Sequence, residues 1–182
     1  FPGEQRQVNG KNTALAQALQ SVQGLSQYPE VINGDRSGML PLFRTIMNAR
    51  PDINLVYRLD ENGIMHFHYP TGPGSTIGDD FSFREYYQRA RSSTQPLLAE
   101  GRISPTTEQA VTTAVMPIVD ESGKFLGVVA TNIRLESLSQ TLRSIVAEYN
   151  PSEAIQIAIV DSAGRIIAHP DARQILQDSA SD

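Results

Sequence analysis

Apolar residues in this chain begin at helical spacing, pass into short strand-like runs, and return to helical spacing. Leu15, Leu19, Val22 and Leu25 lie on one face of an amphipathic helix over about 12–27. Asn12 or Thr13 can cap its start, and Pro29 bars its continuation. A second helix is predicted from about Pro41, suited to a first turn, through Phe43, Ile46 and Met47 to a stop at Pro51. Strand runs follow at 53–59 and 64–69, a Gly/Pro-rich flexible loop at 70–80, a short helix at 82–91, and strands at 96–103, 110–119 and 125–133. Leu135, Leu138, Leu142, Ile145 and Val146 mark another amphipathic helix, ended by Pro151. Strand runs at 155–160 and 165–168 and a helical signal at 172–177 complete the pattern.

Between strand runs the same signal occurs three times, as Asp60 to Gly63, Asp120 to Gly123 and Asp161 to Gly164. An Asp that bonds its own backbone, followed by a Gly free to take positive φ, closes a hairpin between antiparallel strands. The first two hairpins frame one five-stranded module, and the third opens another. A module as long as the first, roughly 53–133, does not fit after Ile155. The expected organisation is a helical region over 1–50, a complete module with its connecting helix over 51–150, and a truncated or rudimentary second module over 151–182. Hairpins with helices before and between them, and no βαβ alternation, predict an α+β fold with an antiparallel sheet. The start at Phe1-Pro2 and the polar Ser-Ala-Ser-Asp tail read as the ends of a piece cut from a longer protein.

With 182 residues and 40% hydrophobic content the chain can bury a core. A net charge of −5 and no Lys/Arg cluster argue against nucleic acid. The absence of cysteine excludes disulfides, thiolate zinc sites and cysteine nucleophiles. No apolar run approaches the roughly 20 residues of a spanning helix.

Candidate chemistry gathers on the short helix. Ser82 and Glu85 fit a capping box with Ser82 as N-cap, which puts Arg84 in the first turn, against the helix dipole. Either an anion held by the guanidinium and the first-turn amides offsets that placement, or Arg84 pairs with Asp79, Asp80 or Glu85. Tyr86 and Tyr87 point about 100° apart, so one of them, Tyr86 by preference, shares a site with Arg84. His66 and His68, two apart on a strand, share a face without an evident third metal ligand; the alternative is one partly buried and one solvated imidazole. No nucleophile elbow, triad or dinucleotide loop is present, so neither an enzyme nor a cofactor is expected.

Three ordered segments resemble the double Cache family of PAS-like extracytoplasmic sensor domains. They are Asp80-Phe-Ser-Phe-Arg84-Glu-Tyr86-Tyr87, then the run from Ala114 through Pro117, Asp120, Gly123, Gly127 and Asn132 to Ile133, then Ile159-Val-Asp161-Ser-Ala-Gly164 through His169-Pro170. The resemblance implies a long N-terminal helix rising from a membrane span, two stacked sheet modules, and a ligand in the membrane-distal one. Arg84 with Tyr86 or Tyr87 matches the element that grips a ligand carboxylate in amino-acid-binding members. Asn132 stands where those members carry an Asp for the ammonium, and Arg102 near a position where they tend to have Tyr. Tyr57, His68 and Thr113 complete the expected ligand-binding set. The implied protein is the periplasmic sensor of a bacterial inner-membrane transducer, a histidine kinase foremost. It would bind a small organic acid, dianionic or hydroxylated, dimerise in the full-length receptor, and reach the membrane through flanking segments. The competing reading is a ligand-free dimerisation or coupling module.

Overall fold

Helices come first, in the computed structural model as in the pattern. The structure describes residues 13–148 and 157–179. The Asn12 cap, the Pro151 stop, the start of the third hairpin at Ile155 and both chain ends lie outside them. Helix α1, Thr13–Leu25, buries Ala18, Val22 and Leu25. Pro29 does more than end it: Pro29 opens a four-residue helix α2, Pro29–Ile32, because its fixed φ suits a first turn. Helix α3, Arg36–Ala49, starts well ahead of the predicted Pro41. The Asp35 carboxylate accepts from the Ser37 amide at 3.1 Å and sets the start, and Pro41 inside the helix forfeits one backbone bond.

Strands β1, Ile53–Leu59, and β2, Met65–Tyr69, form the first hairpin, followed by helix α4, Glu85–Ala90. The strand predicted at 96–103 is broken into β3, Leu97–Leu98, and β4, Arg102–Ile103. Both pair with β5, Ala110–Val119, which pairs in turn with β6, Phe125–Arg134. The antiparallel order is β2-β1-β6-β5-β3, five positions as the pattern predicts, with β4 beside β3 on the same edge. Pro117 is tolerated in β5 because β3 stops pairing at Val115, leaving that stretch of β5 without a neighbour on that side. Helix α5, Leu135–Ala147, leads to the two-stranded sheet of β7, Ile159–Val160, and β8, Ile166–Ala168. A single 3₁₀ turn, Ala172–Gln174, stands where helical signal runs over 172–177.

The sheet separates two apolar clusters. Ile53, Val56, Phe67, Met116, Val129 and Ile133 pack against α1, α3 and α5. Leu55, Tyr57, Leu59, Met65, Val115 and Val128 pack against α4 on the other face. All three Asp-x-x-Gly turns close alike. Asp60 Oδ1 accepts from Asn62 and Ile64 amides, Asp120 Oδ1 from Ser122 and Lys124, and Asp161 Oδ1 from Ala163 and Arg165.

Two local departures matter for the site. A bulge between Arg58 and Leu59 shifts the β1–β2 register, so Met65 and Phe67 enter opposite clusters. The extra residue, His66, bonds the Gly34 carbonyl through Nε2 at 2.7 Å, and the two histidines do not share a face. The break between β3 and β4 has its cause in the third hairpin. There Asp161 Oδ2 accepts from the Gly101 amide at 2.8 Å and Arg165 Nη1 donates to the Gly101 carbonyl at 2.7 Å, so Gly101 is held by the hairpin and not by β5.

Gly127 takes φ +118° in β6, and a Cβ there would collide with the Leu59 carbonyl oxygen and lie 2.7 Å from the Asp60 carbonyl carbon. Gly127→Ala is therefore expected to destabilise the fold by about 2 kcal/mol or more, read from the urea midpoint. Gly24→Ala in α1, where an added methyl would meet nothing within 4 Å, should instead gain about 0.5 kcal/mol.

Candidate functional site

The sheet face that carries α4 also carries a small cavity. The row Leu55, Asn132 and Thr113 runs across β1, β6 and β5, with Tyr57 opposite Ala130 in the next row. Facing residues of a ladder share a side, so Tyr57 and Asn132 both point at α4 and its lead-in. Over them lies the segment from Phe81 to Tyr86. Phe81 is buried and donates its amide to the Gly63 carbonyl at 2.9 Å, which docks this segment on the first hairpin turn.

The capping arrangement differs from the predicted one. Asp80 Oδ1 takes the Ser82 amide at 2.7 Å, so Ser82 sits in an Asp-closed turn and Arg84 is the N-cap of α4. Glu85 does not reach back to Ser82 but pairs with Arg89 at 2.8 Å. With only six residues α4 offers a weak dipole, and the positive character of the site comes from guanidiniums.

Arg84, Tyr86, Arg102, Tyr57 and Asn132 line this cavity together, which measures about 10 Å³, room for roughly one water. Arg102 lies over the Tyr86 ring at 5.0 Å and Arg84 over the Phe83 ring at 4.9 Å. Nε of Arg84, and Nε and Nη1 of Arg102, are buried without a hydrogen-bond partner among the described residues. Tyr57 donates its hydroxyl to that of Tyr86 at 3.1 Å. Burial first, then the neighbouring Tyr57, pushes the Tyr86 phenol well above its usual range against the pull of Arg102 and Arg84, so it stays a neutral O–H. Thr113 donates to Asn132 Oδ1 at 2.7 Å, and Asn132 Nδ2 donates to Ser104 Oγ at 3.3 Å. With its carbonyl oxygen engaged, Asn132 turns its amide donor to the cavity.

Thr113 thus orients a wall residue without lining the cavity itself. Tyr87 lies elsewhere: its hydroxyl donates to the Asp60 carbonyl at 3.2 Å and its ring meets Phe125 edge-on. His68 is paired with Tyr57 across the hairpin but lines a neighbouring hollow of about 200 Å³ under the Gly/Pro loop. That predicted flexible loop is tied down by the buried ring: Nε2 accepts from the Thr76 amide at 3.3 Å and meets Ser75 Oγ at 2.9 Å, leaving Nδ1–H to donate to the Pro70 carbonyl at 2.8 Å. The described residues hold no group of three or more His, Asp or Glu suited to a metal. Pattern reading missed Ser104 with its neighbours Pro105 and Thr106, and Leu55, Met65 and Phe81, as wall residues. Only Ser104 carried a signal, as the turn-forming pair Ser104-Pro105 beside Arg102.

The site thus sits on an antiparallel sheet that packs α1, α3 and α5 on one face and carries, on the other, a donor-lined cavity beside α4. A family model for the Cache domain matches residues 5–182, and the chain belongs to that family, whose members are sensor domains and not enzymes. Solved structures of low identity share the fold. The ligand-binding domain of the Pseudomonas fluorescens chemoreceptor CtaA, in complex with L-valine, gives a TM-score of 0.70 at 22% identity over 91% of this chain and 71% of that one. That of the Pseudomonas aeruginosa PAO1 amino acid chemoreceptor PctC, in complex with GABA, gives 0.67 at 21% identity over 91% and 72%. An extracellular ligand binding receptor from Desulfohalobium retbaense gives 0.71 at 19% identity over 91% of this chain and 30% of that chain. No curated protein matches the chain at a significant level.

Burial lowers the His68 pKa from 6.5, opposed in part by the Pro70 carbonyl. A lowered value means the unfolded chain takes up a proton that the folded one refuses. His68 therefore costs no stability above pH 6.5, and the loss grows as pH falls from there toward the folded value. The melting temperature of the parent is expected to drop between about pH 7 and 5, and this slope should flatten in His68→Gln.

Proposed function

We propose that this chain is the extracytoplasmic ligand-sensing domain of a membrane-bound bacterial signal transducer, and that it binds a small organic acid in the cavity of the five-stranded module. The observation that supports this most is the character of the walls. Two guanidiniums, a primary amide, the Tyr86 phenol and a serine hydroxyl offer hydrogen, Tyr57 spending its own on Tyr86, and no carboxylate among the described residues lines the cavity. Three nitrogens of those guanidiniums are buried without partners among the described residues, a costly arrangement that an anion would relieve. The ligands in the comparison structures, L-valine and GABA, each carry a carboxylate. Asn132 has no charge to offset an ammonium, so an acid lacking an amine is favoured over an amino acid.

The site constrains the ligand and not the output. A shift of α1 against its counterpart in a homodimer serves a histidine kinase, the output expected from sequence, as well as a chemoreceptor, the kind of protein the comparison structures come from. No described helix is long and apolar enough to cross a membrane, and attachment is assigned to flanking segments. The rival reading, a ligand-free coupling module, draws on one observation: with Arg102 laid on Tyr86 the cavity is only about 10 Å³.

A thermal-shift screen of dicarboxylates, hydroxy acids and amino acids, followed by calorimetry, separates the two. Acids should raise the melting temperature. Arg84→Ala should lose about 2 kcal/mol or more of binding with the fold retained, and Asn132→Asp should move preference toward amines. Stabilisation by amino acids alone, or unchanged binding by Arg84→Ala, overturns the proposal in favour of the coupling module.

A further inference from the structure

Arg84, Tyr86 and Arg102 are shared between the inner cavity and an adjoining hollow of about 130 Å³. The hollow also takes in Arg165, from the third Asp-x-x-Gly hairpin, together with Glu85 and Glu100. Three cations thus line a hollow that shares Arg84, Tyr86 and Arg102 as walls with the anion site. Of the two carboxylates, Glu85 is engaged by Arg89 at 2.8 Å, which leaves Glu100 as the uncommitted one among the residues lining the hollow. Arg165 is half-buried and aimed. Its Nη1 is fixed on the Gly101 carbonyl at 2.7 Å, and its Nε and Nη2 have no protein partner among the described residues.

We propose that the ligand is a short-chain dicarboxylate, with one carboxylate in the inner cavity on Arg84 and Arg102 and the second held in the hollow by Arg165. This rests on the carboxylate reading above and goes beyond it by naming the second charge and the residue that reads it. An amine-bearing ligand would place its ammonium in the same hollow, where three guanidiniums repel it and Glu100 alone attracts it. A monocarboxylate leaves Arg165 without a counter-charge. Arg165 is therefore the residue that sets specificity, and it brings the third hairpin into a site otherwise built by the first module.

Calorimetry with succinate, butyrate and 4-aminobutyrate tests this, because the three differ only in what stands at the far end of a four-carbon acid. The parent protein should bind succinate about tenfold or more tighter than butyrate, the effect of one charge-assisted contact. Arg165→Gln should erase that preference, the succinate-to-butyrate affinity ratio falling to about one, and Arg165→Lys should keep part of it. A merely structural role for Arg165 would weaken both acids together, so the ratio discriminates even if the hairpin loosens. Arg84→Ala should abolish binding of both. If Arg84→Ala abolishes binding but Arg165→Gln leaves the succinate preference intact, the assignment of Arg165 is overturned and the carboxylate reading stands. If 4-aminobutyrate binds tightest, Glu100 dominates the hollow and the dicarboxylate is wrong. If the parent binds none of the three, the carboxylate reading itself fails and the inference with it.

Discussion

Residues opposite one another in an antiparallel ladder share a face, and the ladder through β1, β6 and β5 fixes the floor of the cavity, where Leu55, Tyr57 and Asn132 stand. Leu55, Asn132 and Thr113 form one row and Tyr57, Ala130 and Val115 the next. The opposite face of the same strands carries Val56, Val129, Ile133 and Met116 against the helices. Slipping the register by one residue would turn those side chains toward the α4 side, each at about 1.5–3 kcal/mol for lost burial. The core therefore holds Asn132 beside Thr113, and through Thr113 holds the amide in the orientation that offers a donor to the cavity. Site geometry here is a consequence of hydrophobic packing on the other side of the sheet.

Three arginines show how differently a guanidinium can be buried. Arg58, on the helix side of β1, donates Nε to the Val31 carbonyl at 2.6 Å and reaches the carbonyls of Leu59, Ile32 and Leu126 at 3.2 Å. Burial lowers its pKa, against the opposing attraction of Asp60 and Glu61, and the carbonyls replace much of the lost water. Arg58 is thus a structural strut joining α2 to the sheet. Arg84 and Arg102 have aromatic faces for company and buried nitrogens with no partner among the described residues. Most buried donors in folded proteins are paired, and the proposed acid would supply the partner that these nitrogens lack among the described residues.

Much of this was legible in the chain because it is locally encoded. The Asp-x-x-Gly turns need only their own backbone, and the apolar period of α1 and α5 reports one buried face, so the hairpin turns and these two helices follow directly. What was not legible depends on distant partners. Pro29 and Pro41 read as a stop and a start, yet capping by Asp35 moved the start of α3 upstream of Pro41. Ser82 lost its predicted capping role because Asp80, two residues before it, captured its amide. The bulge that separates His66 from His68 depends on β1 pairing, and the break between β3 and β4 on a hairpin some 60 residues away. At the site, Arg84, Tyr86, Arg102, Tyr57 and Asn132 converge, while Tyr87 and His68 share their neighbourhood but point into other contacts. Arg165 carried no local signal, since only the folded third hairpin brings it to the others.

The closed cavity and the clamp on Gly101 belong to one argument about signalling. Arg102 on Tyr86 is a cation–π contact worth about 0.5–2 kcal/mol, whereas a carboxylate offers each guanidinium charge-assisted bonds of about 1.5–3 kcal/mol. Under the proposed function, an acid that needs more room than the cavity offers would therefore draw Arg102 off the ring. Arg102 follows Gly101, whose amide and carbonyl are both gripped by Asp161 and Arg165 of the third hairpin. A movement of Arg102 that carries its backbone along is met by that hairpin, and through β8 by α5, on which β8 packs. Under the proposed function, this route would link an anion at Arg102 to α5 with little change to β1, β6 and β5, because β4, two residues at the sheet edge, is the strand that would move. A differential affinity of a few kcal/mol between open and closed Arg102 is enough to reverse the populations of two such states.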